Sequence, residues 1–567
     1  MLDDLLTLLG LDLRTVILAT GTTAVLAAGV LTWPLSALVL WRYRRSVTSG
    51  MRRRARPAAA PAYGQAGAAP PSAPSPHRPV AAGPAPSIAL VEAPATGPRT
   101  QPAALTARAA SSLRRAQVVL AVAGVIFGVG STVAYHAVAG LEWLPVRTVA
   151  LVALLGWVLV PALIATGITD RRAQVGLWAG LLVLTLGLPA ATGTAFVEVL
   201  QLFVVVVAVP GLVIVLTSGR RIRGVAWLVF PTVGVLAAVA LILYVPLTYL
   251  MVGVALDRLA WSLVAVAAGL VGLLVVYAGT AAWFYSRKVA SDDTLLVLQW
   301  WVVLAITQAF LLGTQGWTDA VAAVTPLALM LAFLLVVALV HRPPTAPPVR
   351  LLLLRTFGSR RRSSRLLRDL TSRWRWVGSV ELITGADLAT ETLEPHELVD
   401  YLTGRLRDRF VRDEGELARR LRGLDLRRDR DGRYRVNELL CHEDTWRPAL
   451  RALVTGADAV LVDLRALTPA NTGVLHEIDQ LVALLPLERV VAMTDATTDA
   501  ATLRDALDRA AALAPRDSPV HADPAPALRT VPATGDRHRD AMALLDALAR
   551  AATSTSRAQL GSAAPSR

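Results

Sequence analysis

The chain has 567 residues, of which 54% are hydrophobic and only 17% are charged, and its mean hydropathy is +0.51. This composition excludes an ordinary soluble protein and indicates a membrane protein. The formal charge of +15 comes almost wholly from arginine, which accumulates in cytoplasmic loops because it resists translocation. We therefore expect a lipid bilayer as partner and no nucleic acid. The single cysteine, Cys441, excludes an intrachain disulfide.

Nine apolar stretches are long enough to cross the hydrocarbon layer, which takes about 20 helical residues. They are Val16–Leu40, Gln117–His136, Thr148–Ile168, Val175–Thr194, Val197–Thr217, Val225–Pro246, Leu259–Phe284, Leu295–Thr314 and Ala320–Val340. The expected fold class is a multi-pass α-helical membrane protein of about nine spans with a C-terminal α/β parallel-sheet domain.

Basic residues lie in alternate loops between these stretches. The pairs Arg114-Arg115, Arg171-Arg172 and Arg287-Lys288 are examples, and Arg342 follows the ninth stretch. The positive-inside rule then places the N-terminus outside and the C-terminal domain in the cytosol. The arginine bias, with abundant alanine, glycine and proline, is typical of a GC-rich bacterial genome, so we expect a bacterial plasma membrane.

Composition also divides the chain into five segments. Residues 1–56 are expected to hold a transmembrane helix with a basic flank, and residues 114–342 an eight-span bundle. Residues 57–113 are rich in alanine and proline and are predicted to be a disordered cytosolic linker, because they cannot bury a core. Residues 349–513 form the predicted α/β domain, and residues 514–567 a flexible tail with a short helix near Arg537–Ala551.

Strands and helices alternate in the predicted α/β domain. The strands expected are Val349–Arg355, Trp376–Thr384, Ala459–Leu464 and Arg489–Met493, and helices are expected near 363–373, 446–455, 473–484 and 502–512, with one or two more in Leu393–Arg430. This alternation favours a parallel sheet with helices on both faces. Ligands of such sheets bind at the carboxyl ends of the strands, which singles out 356–362, 384–387, 463–473 and 494–495.

The strand leading into Arg355-Thr356-Phe357-Gly358 resembles the first strand and loop of bacterial domains related to the Toll/interleukin-1 receptor (TIR) fold. The stretch Ala457–Arg465, with Asn471-Thr472-Gly473 and His476-Glu477-Ile478, is similar to their third strand and following helix. The resemblance covers about 160 residues, Val349–Ala512. It implies that Glu477 is the catalytic glutamate of an NAD-cleaving enzyme. A carboxylate near the ribose stabilises the oxocarbenium-like cation that forms when the nicotinamide bond breaks.

Five residues are expected to bind the nucleotide: Gly358, Ser359, Asp463, Arg465 and Asn471. Backbone N–H groups of the Gly358 turn, followed by Arg360-Arg361-Arg362, could cradle a phosphate, or this run is a solvated basic surface. Asp463 could bind a ribose hydroxyl or a metal, or pair with Arg465. Glu477 could equally lie on an exposed helix turn without a special role. No residue is assigned to a metal, because Cys441-His442 lacks metal-ligand spacing.

Three functions follow from this sequence. The first is a membrane-anchored signalling or defence protein whose TIR-like domain binds, and cleaves, NAD or another nucleotide. The second is a non-catalytic scaffold or sensor that recruits cytosolic partners, with self-association through the α/β domain as a further expectation. The third is a transporter with a regulatory domain, for which Gln201, Gln299 and Gln308 are the polar candidates within the apolar stretches.

Overall fold

The computed structural model describes residues 33–52, 86–93, 104–166, 258–288, 290–313, 317–340, 348–355, 362–384 and 395–562, with scattered positions between 175 and 243. Gly358, Ser359 and Gln201 lie outside the described residues, as do most of the fourth, fifth and sixth predicted spans.

The centre of the protein is a sheet of eight strands, all parallel. The strands are β1 (Ala89–Glu92), β2 (Val349–Arg355), β3 (Gly378–Ile383), β4 (Phe410–Val411), β5 (Val436–Cys441), β6 (Ala459–Asp463), β7 (Val490–Thr494) and β8 (Ala527–Pro532). Their order across the sheet is β1-β8-β7-β6-β2-β3-β5-β4. Along the chain, β3, β4 and β5 are added on one side of β2, and β6, β7 and β8 are then added on its other side. The direction in which strands are added therefore reverses between β2 and β6.

Fifteen helical segments are used below to describe the rest of the structure. They are α1 (33–51), α2 (Ala104–Ala139), α3 (Pro145–Leu155), α4 (Leu159–Thr166), α5 (Arg258–Ser286), α6 (Asp292–Gly313), α7 (Trp317–Val340), α8 (Arg362–Trp374), α9 (Pro395–Leu402), α10 (Glu414–Arg422), α11 (Trp446–Gly456), α12 (Thr472–Leu484), α13 (Ala500–Leu513), α14 (Pro519–Ala522) and α15 (Arg537–Ser562). A short 3-10 helix, Arg405–Arg409, precedes β4.

Helices cover both faces of the sheet. Apolar residues of α11, α12 and α13 pack on one face, and those of α8 and α15, with the start of α2, pack on the other. Alternate leucines of β2 serve the two faces: Leu352 belongs to the first core and Leu351 to the second. A parallel strand buried on both sides reads as a continuous apolar run, which is why β2 is so clear in the sequence.

Two helices among the described residues are long and apolar enough to cross a membrane, Leu105–Ala139 and Val321–Val340. They lie within α2 and α7, which pack against each other: a Cβ at Gly130 would meet Pro326 at 3.1 Å. Gly130 lies in the last third of α2 and Pro326 in the first half of α7.

The prediction of nine spans is wrong, because the structure supports two. The third predicted span, Thr148–Ile168, shows one physical reason. The helix breaks at Gly156, where α3 ends after 11 residues, too few to cross the bilayer. At Gly156 a Cβ would lie 2.7 Å from the Val152 carbonyl oxygen and 3.2 Å from the Gly128 Cα of α2. Hydropathy counts apolar residues and does not detect such a break.

Two segments predicted to be unstructured contribute strands. β1 lies within the predicted linker 57–113 and pairs in parallel with β8, and α2 begins at Ala104 in the same segment. β8 lies within the predicted tail 514–567 and pairs with β7. The α/β domain also extends past its predicted end at residue 513, since α15 buries Leu544 and Leu548 in the second core. These strands are short or carry polar residues, so their sequences show little preference for a strand. Pairing with a neighbouring strand stabilises them instead.

A buried network of charges joins the helices to the α/β domain. We call it the junction and define it by residues 288–294, which include the loop after α5 and the start of α6, and residues 425–435, before β5. Arg435, 1% exposed, contacts Asp429 at 2.9 Å and donates to the Ala290 carbonyl oxygen at 2.9 Å. The Asp293 carboxylate pairs with Arg433, and Asp431 accepts from Thr294 at 2.8 Å.

The charges of the junction depend on one another because they lie away from water. Burial raises the pKa of Asp429 to about 7, although Arg435 opposes that rise. Burial likewise lowers the pKa of Arg433 to about 10. A buried charge that loses its partner destabilises a fold strongly, so the loop between α5 and α6 and the segment before β5 must stay together.

Replacing Arg435 with alanine is expected to lower the free energy of unfolding by about 3–5 kcal/mol, because it leaves buried carboxylates without their cation. Thermal unfolding of the purified full-length protein measures this. The matched control is Arg430→Ala, at an exposed arginine of the same segment, which should change stability little. Equal stability of the two variants would contradict the role assigned to the junction.

Candidate functional site

The candidate site lies at the carboxyl ends of β2 and β6, where the strand order reverses. The register pairs Arg355, the last residue of β2, with Asp463, the last residue of β6. Adjacent strands lie about 4.8 Å apart, and loops that leave them in opposite directions open a crevice between them. The sequence predicts ligand-binding loops after these two strands, and the topology brings their starting points side by side.

Asp463 and Arg465 form a buried ion pair at this edge. The Asp463 carboxylate accepts from the Arg465 Nε at 2.8 Å and from its Nη2 at 2.7 Å. The two residues are 1% and 7% exposed. This geometry is the bidentate fork that a guanidinium and a carboxylate form most strongly. The structure thus shows the pairing that the sequence left as one alternative for Asp463, and binding of a ribose hydroxyl stays a prediction.

Two further carboxylates raise the pKa of the Arg465 guanidinium through their negative charge. They are those of Asp495, after β7, and Asp540, at the start of α15. Asp495 accepts from the Thr497 hydroxyl at 2.6 Å. Asp540 accepts from the Thr534 hydroxyl at 2.6 Å and the Gly535 N–H at 3.2 Å. Arg465 is therefore a positive group at this edge that pairs with Asp463 and also feels the charges of Asp495 and Asp540.

The loop after β6 has a strained backbone beside this pair. Ala466 has a φ of +59°, which residues other than glycine rarely adopt, and its N–H donates to the Thr497 hydroxyl at 3.1 Å. The Thr498 hydroxyl donates to the Leu464 carbonyl oxygen at 3.2 Å. Strain of this kind persists only where neighbouring contacts hold it, and it concentrates at functional loops. Hydrogen bonds thus join the loops after β6 and β7.

Asn471 completes the loop before α12 without capping that helix. Its Oδ1 accepts from the Thr468 N–H at 2.8 Å and the Thr468 hydroxyl at 2.9 Å. In the structure Asn471 thus closes its own loop, and contact with a nucleotide stays a prediction.

Glu477 lies on the buried face of α12. Its side chain is 7% exposed, and its Oε2 has no hydrogen-bond partner among the described residues. Burial raises the pKa of Glu477 to about 8, so the folded protein holds it protonated at neutral pH. The alternative that Glu477 lies on an exposed helix turn is therefore wrong. Val474, Ile478 and Leu481 on the same face of α12 belong to the apolar core.

An unpartnered buried acid is costly, and such groups concentrate at functional sites. Glu477 follows the start of α12 at Thr472 by five residues, or about 7–8 Å along the helix axis. It therefore lies below the carboxyl edge of the sheet rather than at it, while Asp463 and Arg465 form the edge itself. The structure joins these last two directly and shows no contact between them and Glu477 in the described residues.

Asp540 is the site residue that the sequence analysis missed. The sequence predicts a short helix near Arg537–Ala551, which includes Asp540, but places it in a flexible tail and not against the sheet, so it does not predict the approach of α15 to the end of β6. The signal present in the sequence is Thr534-Gly535-Asp536 before an apolar-periodic helix, which is typical of a helix N-terminus.

No family model matches the chain, and no curated protein or solved structure matches it.

Glu477→Gln is expected to change how stability depends on pH. In the parent protein the unfolded carboxyl ionises above its ordinary pKa of 4.5, while the folded one stays protonated up to about pH 8. The parent therefore loses about 1.4 kcal/mol of stability per pH unit across this window relative to the glutamine variant, which does not titrate. Chemical denaturation of the full-length protein from pH 5 to pH 8 measures it.

The matched control is Glu443→Gln, at an exposed glutamate of the loop after β5. Its stability difference from the parent should stay constant over the same pH range. A constant difference for Glu477→Gln as well would show that the carboxyl is ionised in the folded protein, and its assignment as a protonated acid would be wrong.

Proposed function

We propose that the protein is a membrane-anchored signalling or defence protein whose α/β domain binds a nucleotide between β2 and β6. The observation that carries this proposal is the reversal of strand order there, next to the buried Asp463–Arg465 pair. Sheets of this kind bind nucleotides at such a reversal, because two loops diverge and leave room for a ligand.

The segment after β2 suits the phosphates of that nucleotide. Its sequence contains Gly358-Ser359 and then Arg360-Arg361, immediately before α8 begins at Arg362. The N-terminus of a helix attracts anions through its free N–H groups and its dipole, and arginine binds phosphate with two parallel hydrogen bonds. The nucleotide named first is NAD, because the TIR resemblance implies it, and cleavage of NAD by Glu477 is the finer form of the proposal.

The placement of the α/β domain in the cytosol is part of the same proposal. The start of α2, near Arg114 and Arg115, packs on the domain, and Lys288 after α5 lies 4.0 Å from Asp425 of the domain. Basic flanks of the apolar helices thus lie at the end where the domain is attached. Because flanks of this kind stay in the cytoplasm, they support a cytosolic domain beneath a bacterial plasma membrane.

The junction gives a specific reason to keep the sensor alternative. It holds the loop between α5 and α6 against the segment before β5 through buried ion pairs, so a shift of these helices would move the sheet with them. The transporter alternative gains no such support. The amides of Gln299 and Gln308 donate to the carbonyl oxygens of Trp227 and Leu155, both at 3.4 Å, within the helix packing.

Cysteine labelling in intact cells tests the placement. In a Cys441→Ser background, Glu142→Cys between α2 and α3 is expected to react with a membrane-impermeant maleimide. Arg430→Cys, an exposed position of the junction, should react only after the membrane is permeabilised. Both positions are exposed, so they are matched in access and differ in the side they report. Labelling of Arg430→Cys in intact cells would place the domain outside and remove the cytosolic proposal.

Calorimetry with the purified full-length protein and NAD tests the nucleotide site. Replacing Arg360 and Arg361 with glutamine is expected to weaken NAD binding by roughly tenfold or more, since charge-assisted hydrogen bonds to phosphate are lost. Arg516→Gln, at an exposed arginine after α13, is the matched control and should bind like the parent. Equal affinity in all three proteins, or no binding of NAD, would contradict the site.

The pH profile of nicotinamide release tests the cleavage step. If the Glu477 carboxylate stabilises the cation, the rate should rise with pH up to about 8, by about tenfold per unit at the acidic end. Glu477→Gln should abolish release and still bind NAD. Binding without any release by the parent protein would leave the sensor or scaffold as the function.

A further inference from the structure

A surface cleft lies among three helices on the first face of the sheet. α10, α11 and α12 border a volume of about 630 Å³, within the range of roughly 300–1,000 Å³ that is typical of small-molecule sites. The three helices follow β4, β5 and β6 in turn, so they run back along the parallel sheet in the same direction. The cleft is separate from the proposed nucleotide site, because neither Asp463 nor Arg465 lines it.

The buried part of the lining is apolar and continuous with the first core. Leu417 of α10 belongs to that core, and Leu421 of α10 and Ala452 of α11 pack against it while staying half-buried. Ala418 and Pro448 add further apolar surface to the same lining. A ligand with an aliphatic body would remove this surface from water, which stabilises the bound state by about 25 cal/mol for each Å² buried.

The exposed part of the lining is basic. Arg447 and Arg451 are four residues apart on α11, so their side chains lie on the same face of the helix. Both are exposed, and neither makes an ion pair with any described residue. Glu414, at the start of α10, is the one acidic residue among the described residues that line the cleft. The lining therefore has one positive charge in excess, which favours an anion.

An aromatic contact holds the basic part of the lining in place. The Trp446 ring meets the His476 ring edge-on, with 5.5 Å between the ring centroids, and the Arg447 guanidinium lies 5.5 Å from the Trp446 ring centroid. Burial, and then the positive charge of Arg447, lower the pKa of His476. Its imidazole is therefore neutral at neutral pH and offers a hydrogen-bond donor without a second charge.

The length of the cleft favours a small molecule over a partner helix. The lining on α11 extends from Arg447 to Thr455, eight residues further, which is about 12 Å along the helix axis. A helix of ordinary length, roughly 11–12 residues, measures about 17 Å and would extend beyond the cleft. An aliphatic chain of medium length matches the shorter distance.

We propose that the cleft between α10, α11 and α12 binds a small amphipathic anion, a carboxylate with an aliphatic chain of medium length. Its carboxylate contacts Arg447 and Arg451, since guanidinium groups bind carboxylates with two parallel hydrogen bonds. Its chain packs against the apolar side chains of α10. The two parts of the lining thus select two parts of one ligand, and the site is independent of the proposed nucleotide site.

Photo-labelling of the purified full-length protein tests the cleft. The probe is decanoate that carries a diazirine on its chain, and mass spectrometry identifies the peptides that it labels. Labelling is expected in peptides of α10, α11 and α12, and an excess of decanoate should suppress it. Decanol has the same chain without the charge, and inorganic phosphate has a charge without the chain, so neither should suppress the labelling.

Replacing Arg447 and Arg451 with glutamine is expected to lower the labelling roughly tenfold, since charge-assisted hydrogen bonds to the carboxylate are lost. The matched control, Arg504→Gln with Arg516→Gln, removes two exposed arginines elsewhere in the α/β domain and should be labelled like the parent. Ala418→Trp fills the cleft from α10 and should abolish the labelling with both arginines in place. Hydrogen exchange of β6 and β7 peptides, unchanged from the parent, shows that each variant is folded.

Three results would overturn the proposal: no labelling of the three helices, suppression by decanol or phosphate as strong as by decanoate, or unchanged labelling in the double glutamine variant. NAD binding reports on the nucleotide site separately, and the double glutamine variant should bind NAD like the parent. A parent protein that is labelled in the cleft and does not bind NAD would contradict only the nucleotide site.

Discussion

The requirement that buried charges be paired governs how the two halves of this protein fit together. Arg433 and Asp293 form an ion pair between different parts of the chain, one before β5 and the other at the start of α6; Arg433 is buried and Asp293 is half-buried. Charges within about 4 Å interact several-fold more strongly in such surroundings than in bulk water. The α/β domain is therefore attached to the helices through a specific set of ion pairs, and its orientation follows from that attachment.

The strands that the sequence predicts well are those in the middle of the sheet. β2 was predicted with the observed bounds, and β6 within one residue, because both are buried on two faces and are continuously apolar. Strands toward the edges carry a mixed signal. β5 contains Asn437 and Glu438, and β8 contains Arg529 and Thr530, so their sequences resemble loops. Their strand conformation depends on pairing with a neighbour, which a single sequence does not display.

The candidate site was predictable to a similar extent. Alternation of strands and helices located the loop after β6, and the proximity of Asp463 and Arg465 in sequence allowed their pairing to be considered. The burial of Glu477 was open to inference from its neighbours, because Val474, Ile478 and Leu481 stand at helical spacing from it and form the apolar face of α12. The missing hydrogen-bond partner of its carboxyl could not be inferred, since that depends on what the assembled domain packs against this face.

The parallel sheet also separates the junction from the candidate site, which lie at its opposite edges. The junction lies at the amino edge, whereas the reversal between β2 and β6 opens at the carboxyl edge. A strand such as β5, with six residues, spans about 20 Å. A ligand in the crevice would thus lie at the edge of the sheet opposite the junction. The helices can influence that crevice along the strands or through α2, which packs on the same face of the sheet as α15, the helix that carries Asp540.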